Sequence, residues 1–181
     1  MVNPVSRILH DVGLAAWFGG TLSNAVALNA AAAETTSRAD SGAVANAGWD
    51  RWTPVNAAAI GAHLVGSVGQ LAGNSSRVAN QKGVGTMAVV KTVTTVAALG
   101  ATAYARVLGK KIDKHGAVPV TDGTTPSAAT PPEVAGAQSQ LSALQWAIPA
   151  LTGALVVISA IAGEQQRSTA VLSGLVKRVT G

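Results

Sequence analysis

Charged residues divide this chain into long neutral blocks. Val12 to Ala33 and Trp52 to Ser76 carry no Asp, Glu, Lys or Arg, Gly83 to Ala105 carries only Lys91, and Val134 to Gly163 carries none. A helix needs roughly 20 mainly apolar residues to cross the hydrocarbon of a bilayer, and each block is long enough. The pattern predicts crossings over about 8–33, 53–76, 84–106 and 141–163, in one membrane domain covering 1–181. A soluble helix of such length would carry charge on its outer face at nearly every turn. The fold class predicted is therefore all-α: a polytopic integral membrane protein, built as a four-transmembrane-helix bundle with the lipid bilayer as its first partner.

Local signals punctuate these blocks. Asn3-Pro4 and Thr53-Pro54 each read as a helix cap followed by Pro at the first helical position. Trp49 and Trp52 stand where a span would meet the headgroups, as interfacial anchors. Glu34 to Gly48 is polar, rich in small residues and expected to be helical in part. The Pro-, Thr- and Ser-rich composition of 107–140 predicts a mobile loop. In the segment 164–181, Val171, Leu172, Leu175, Val176 and Val179 fall on one arc with Lys177 and Arg178 outside it, which predicts an amphipathic helix on the membrane surface. Ala30-Ala31-Ala32 resembles a signal-peptide cleavage site, but Ser23, Asn24, Asn29 and the basal His10-Asp11 favour a retained span.

Composition narrows the functional classes. The chain is 48% hydrophobic and 12% charged, with a net charge of +5. No basic face is assembled, and four Trp, one Tyr and one Phe offer little for base stacking, so nucleic acid is not an expected partner. The absence of Cys removes disulfides, thiolate metal sites and thiol catalysis. With Lys91 snorkelling to the inner face, the 13 Lys and Arg divide seven inside against six outside for a multi-pass protein of the inner cell membrane with cytoplasmic termini.

The chemistry-bearing residues lie in stripes. Asn56, His63, Ser67, Gln70 and Asn74 are spaced 7, 4, 3 and 4 apart, on one helical face. In lipid such a stripe must turn inward. It then either makes interhelical hydrogen bonds, of about 0.6 kcal/mol each, or lines a polar conduit. His63 is an ionisable residue inside a span and so a candidate site. His10 at the base of the first span is expected some 10 to 15 Å from His63 along the normal, which argues against bis-histidine haem. Asp11 and Lys91, at comparable shallow depth, are expected to pair. Close helix packing is predicted at Ala58, Ala62 and Gly66, four residues apart, and at the GxxxG of Gly69 and Gly73. No nucleophile elbow, phosphate loop or metalloprotease motif is present. The acids, from Asp11 to Glu164, fall at or beyond span ends, so an enzyme is not expected and no catalytic residue is assigned.

The stretch His10-Asp11-Val12-Gly13-Leu14-Ala15-Ala16-Trp17-Phe18-Gly19-Gly20 resembles the first helix of small bacterial membrane proteins related to the copper-resistance D family, with a basal His preceding Trp-x-Gly-Gly. The Ala-rich composition is similar to that of actinobacterial membrane proteins. The resemblance implies an inner-membrane bundle handling copper, with His10 and then His63 as the positions to which a ligand role transfers. Two Met and no Cys are poor equipment for Cu(I), so neither a metal nor another cofactor is expected. The expected function is that of an accessory or scaffold subunit packing with itself or with a larger membrane complex; the alternative is a transporter or channel component with a polar path through the bundle.

Overall fold

A computed structural model describes residues 3–116 and 118–164; the amphipathic arc at 171–179 lies outside the described residues. Those described are helical apart from short connections and a single bridge between Val120 and Pro126. The first helix, α1 (Pro4–Ser23), is capped by Asn3, whose side chain accepts from Val5 N at 3.0 Å, with Pro4 where its missing N–H costs nothing. It runs through one π-helical stretch (Asn24–Leu28) into α2 (Asn29–Ala33). There follow α3 (Arg38–Gly73), the short α4 (Ser75–Asn80), α5 (Val84–Asp113) and α6 (Pro132–Glu164). Gly83 makes the turn into α5 at φ +86°, a conformation Gly adopts without a steric penalty.

Two helices, α5 and α6, are long and apolar enough to cross a membrane. Several boundaries differ from the sequence reading. Thr53-Pro54 does not start a helix: Pro54 lies inside α3, which begins sixteen residues earlier at Arg38. Pro54 removes one backbone donor, yet the helix runs on through it to Gly73; beside it the Thr53 hydroxyl donates to the Trp49 carbonyl at 2.8 Å. Trp49 and Trp52 therefore sit within a helix rather than at its mouth. The connection after α5 spans 114–131 rather than 107–140, and it folds back onto the bundle, with Val120 only 1% exposed.

The helices pack in the order α3, α1, α6, α5, while α3 and α5 scarcely touch. The α1–α3 interface is built on glycine. A Cβ on Gly13 would stand 2.5 Å from His63 N, and one on Gly66 would stand 2.5 Å from Ser6 O, so both backbones approach as only Gly permits. Gly69 faces Ser6 in the same seam. Of the small residues singled out by four-residue spacing, Gly66 and Gly69 face α1, Ala62 is half-buried, and Ala58 and Gly73 are exposed. The row that meets α1 is Ala59, His63 and Gly66, one position out of phase with Ala58 and Ala62, because it is Gly13 that fixes which backbone atoms α1 touches. Trp17, fully buried, joins this pair to the rest. It packs with Leu14, Ala98 of α5 and Leu155 of α6, and its Nε1 donates to Thr102 Oγ1 at 3.3 Å.

Gly66→Ala is expected to destabilise the protein by ~1–3 kcal/mol through overpacking against α1. Gly61→Ala, where no neighbouring heavy atom lies within 4 Å, leaves the thermal midpoint unchanged or raises it slightly. Thermal unfolding in detergent, with both variants side by side, checks this; equal melting would place the interface elsewhere.

Candidate functional site

The polar residues predicted on one face of α3 part company in the structure. His63 turns to α1, whereas Asn56, Ser67, Gln70 and Asn74 line the opening between α3 and α5. His63 meets His10, and the two rings lie 4.5 Å apart between centroids, both fully buried, with Trp17 6.0 Å from His63. The expected 10 to 15 Å offset is thus corrected to a contact. The reason lies in the helix limits: α1 begins at Pro4, placing His10 two turns inside, and α3 extends to Gly73, placing His63 beyond its midpoint on the same side.

Each ring is oriented through Nδ1. His10 Nδ1 donates to Asp11 Oδ1 at 2.7 Å, and His63 Nδ1 donates to the His10 carbonyl at 3.3 Å. Both acceptors are oxygens without protons to give, so each Nδ1 carries the hydrogen and each Nε2 presents a lone pair. Both Nε2 atoms are buried with no hydrogen-bond partner. Haem does not fit here: two imidazoles on opposite faces of one iron, at bonds of about 2 Å, stand roughly 6 Å apart between centroids, and rings 4.5 Å apart leave no room for the macrocycle. A linear two-histidine Cu(I) ion needs the same roughly 6 Å. No group of three or more His, Cys, Asp or Glu able to hold a metal occurs among the described residues. The donor set does not fit the copper site that the resemblance in α1 implies.

The expected Asp11–Lys91 pair is not formed. Asp11 is held on its own helix by His10 and by Arg7, whose Nε lies 3.6 Å from Oδ2, and no ion pair reaches Lys91 among the described residues. Lys91 instead faces the opening between α3 and α5.

That opening is concave. Leu99 of α5 divides it into two compartments. The first, of about 290 Å³, lies between the middle of α3 and the C-terminal half of α5 and is walled by Trp49, Trp52 and Asn56. Its rim is spanned by Arg106 Nη2 and Asp50 Oδ1 at 2.9 Å. Trp52 Nε1 and Asn56 Oδ1 are buried there without partners. The second, of about 330 Å³, lies between the end of α3, α4 and the start of α5, where Ser67, Gln70, Asn74 and Lys91 contribute its polar lining along with Arg77.

A polar network that sequence spacing did not reveal closes the first compartment. Asn29 Nδ2 donates to Gln145 Oε1 at 2.8 Å, Gln145 Nε2 to Thr124 Oγ1 at 3.2 Å, and Gln138 Nε2 to the Asp122 carbonyl at 3.1 Å. The tip of the 114–131 connection is thereby seated between α2 and α6. Its bonded partners are 16 or more residues apart in sequence, so no local pattern betrays them; the only signal was that Asn29 and Gln145 are polar in otherwise apolar blocks. No family model, curated protein or solved structure matches the chain.

A double-mutant cycle separates the two assignments of Asp11. Asp11→Asn combined with His10→Asn should show a coupling of about 0.5–1 kcal/mol, as Asp11 is half exposed. Asp11→Asn with Lys91→Met should be additive to within about 0.5 kcal/mol.

Proposed function

We propose that the chain is a four-span, multi-pass protein of the cell membrane, with cytoplasmic termini and no enzymatic activity, acting as an accessory or scaffold subunit by helix–helix packing with a second copy or a larger membrane complex. One observation carries this reading: all four long helices turn large apolar side chains outward. Val12 of α1 is 63% exposed, Val68 of α3 69%, Val93 of α5 63% and Val157 of α6 58%. A soluble protein hides such faces, and contiguous exposed apolar surface marks a membrane or a partner.

The two most apolar helices support the same conclusion. Within their most apolar windows only 11% of α5 and 22% of α6 is buried, the reverse of a soluble core helix. In α1 and α3 hydropathy is lowered by Gly, Ala and polar residues, several of which face the other helix. Lower hydropathy there reflects contact between helices, and the outer Val and Ile residues remain. The likeness of His10 to Gly20 to a copper-resistance D-like first helix agrees with this architecture. The gap between α3 and α5, which leaves two helix faces without a neighbour among the described residues, supports the accessory role.

A second reading, a transport path, is favoured by the unpartnered Asn56 Oδ1, Ser67 Oγ and Gln70 Nε2 along that gap. Such a path runs past residue 67 and not past His63.

Untagged protein is expected to sediment with membranes and to resist extraction by high salt and alkaline pH; recovery in the soluble fraction overturns the four-span reading. Since the chain has no Cys, single cysteines report cleanly on water. His63→Cys and Ser67→Cys should both resist a membrane-impermeant thiol reagent if the gap is closed by lipid or a partner helix. Rapid labelling at 67 with protection at 63 would favour the path, and a monodisperse monomer without partner after gentle extraction would overturn the accessory role.

A further inference from the structure

Among its described lining residues, the compartment between the end of α3, α4 and the start of α5 offers hydrogen-bond donors and cations but no acid, and the field of Asp11 reaches Lys91 from outside the lining. Of its residues, Thr92 and Thr95 donate to the carbonyls of Ala88 and Lys91, and Asn74 is engaged through both its amide nitrogen and its oxygen. Gln70 Nε2 and Ser67 Oγ remain buried without a partner among the described residues. Lys91 adds an ammonium that forms no ion pair among the described residues. The remaining wall is aliphatic, from Leu64 and Val68 to Val96 and Leu99. A buried donor left unmade costs about 1–3 kcal/mol, and more when charged, so a cavity of about 330 Å³ with this lining is matched by a ligand that is an acceptor at one end and apolar along the rest.

The geometry points to a binding site for an anionic amphiphile, with its phosphate or carboxylate head on Lys91, Gln70 and Ser67 and its acyl chain along Val96 and Leu99. This rests on the membrane-spanning reading above. Lys91 lies two turns into α5, about 10 Å below its first residue, and its four-carbon stem can lift the ammonium toward the headgroup layer. Arg77 stands at the rim, where it donates to Asn74 and Gln81. A lipid molecule meets both requirements at once, because the compartment faces the gap between α3 and α5, where no helix stands among the described residues.

Native mass spectrometry of the full-length protein, extracted gently and offered phosphatidylglycerol, phosphatidylcholine with the same acyl chains, or oleate, tests the assignment. Wild type should retain phosphatidylglycerol roughly fivefold better than phosphatidylcholine, the ratio expected for one basic residue near a headgroup. Lys91→Met should reduce that ratio to near unity, while Lys91→Arg keeps it and so guards against a folding defect. Gln70→Leu should lower it in part. Displacement of phosphatidylglycerol by oleate identifies a carboxylate as an accepted head; no displacement restricts the site to phosphate. Equal retention of both phospholipids by wild type, or an undiminished ratio in Lys91→Met, overturns the site and leaves the four-span reading intact. A polypeptide that co-purifies in a Lys91-dependent manner and blocks phosphatidylglycerol uptake would likewise overturn it, in favour of a protein occupant.

Discussion

The contact of two helix backbones across Gly13 and Gly66 is the constraint from which the rest of the arrangement follows. With no Cβ at either position, α1 and α3 come close enough for the tilted rings of His10 and His63 to meet, and the axial register is set by that contact. That register carries Trp17 to the one place where it can touch α3, α5 and α6 together. The α5–α6 pair, bound internally through Leu108, Ile112, Val134 and Ala137, then docks on the far side of α1. With α1 in the centre, α3 and α5 meet at only a few positions, such as the Asp50–Arg106 ion pair. The gap between them is a geometric result of the glycine contact.

Polar side chains in this apolar setting have three fates. Many hydroxyls return to their own helix: Thr21, Thr53, Thr94 and Thr152 each donate to the carbonyl four residues back, which satisfies them without specifying any neighbour. A second group links distant segments, as in the chain from Asn29 through Gln145 to Thr124. The third group, at the gap, is unsatisfied among the described residues. Only the last two groups carry information about assembly, and both border the α3–α5 opening.

The sequence makes the helices legible and their contacts much less so. Blocks without charge locate the four long helices because charge avoidance is a property of single positions. Where each helix starts proved harder: Thr53-Pro54 has the composition of a cap, yet α3 is continuous through it from Arg38. Spacing places Asn56 to Asn74 in one stripe, but spacing cannot say that His63 faces one neighbour and Ser67 another. Ala58 and Ala62 missed the contact row by one residue for the same reason. On a helix one residue is a rotation of about 100°, and in a chain so rich in small residues several phases look equally good. The His10–His63 contact was invisible because it depends on where two helices end, which is the weakest element of any pattern reading.

The π-helical stretch at Asn24–Leu28, where Asn29 N bonds back to the Asn24 carbonyl, gives α1 two addresses. A wide turn absorbs one residue more than an α-turn without interrupting the helix, so the azimuth of everything beyond it is advanced relative to everything before. Upstream, His10, Gly13 and Trp17 are aimed at α3 and α5; downstream, Asn29 is aimed at Gln145 of α6. A straight α-helix would hold both sets to a single phase. The widened turn acts as a fixed dial offset between the two ends of one rod, so the loss of a single residue there would dephase the Asn29 end while sparing the histidine end.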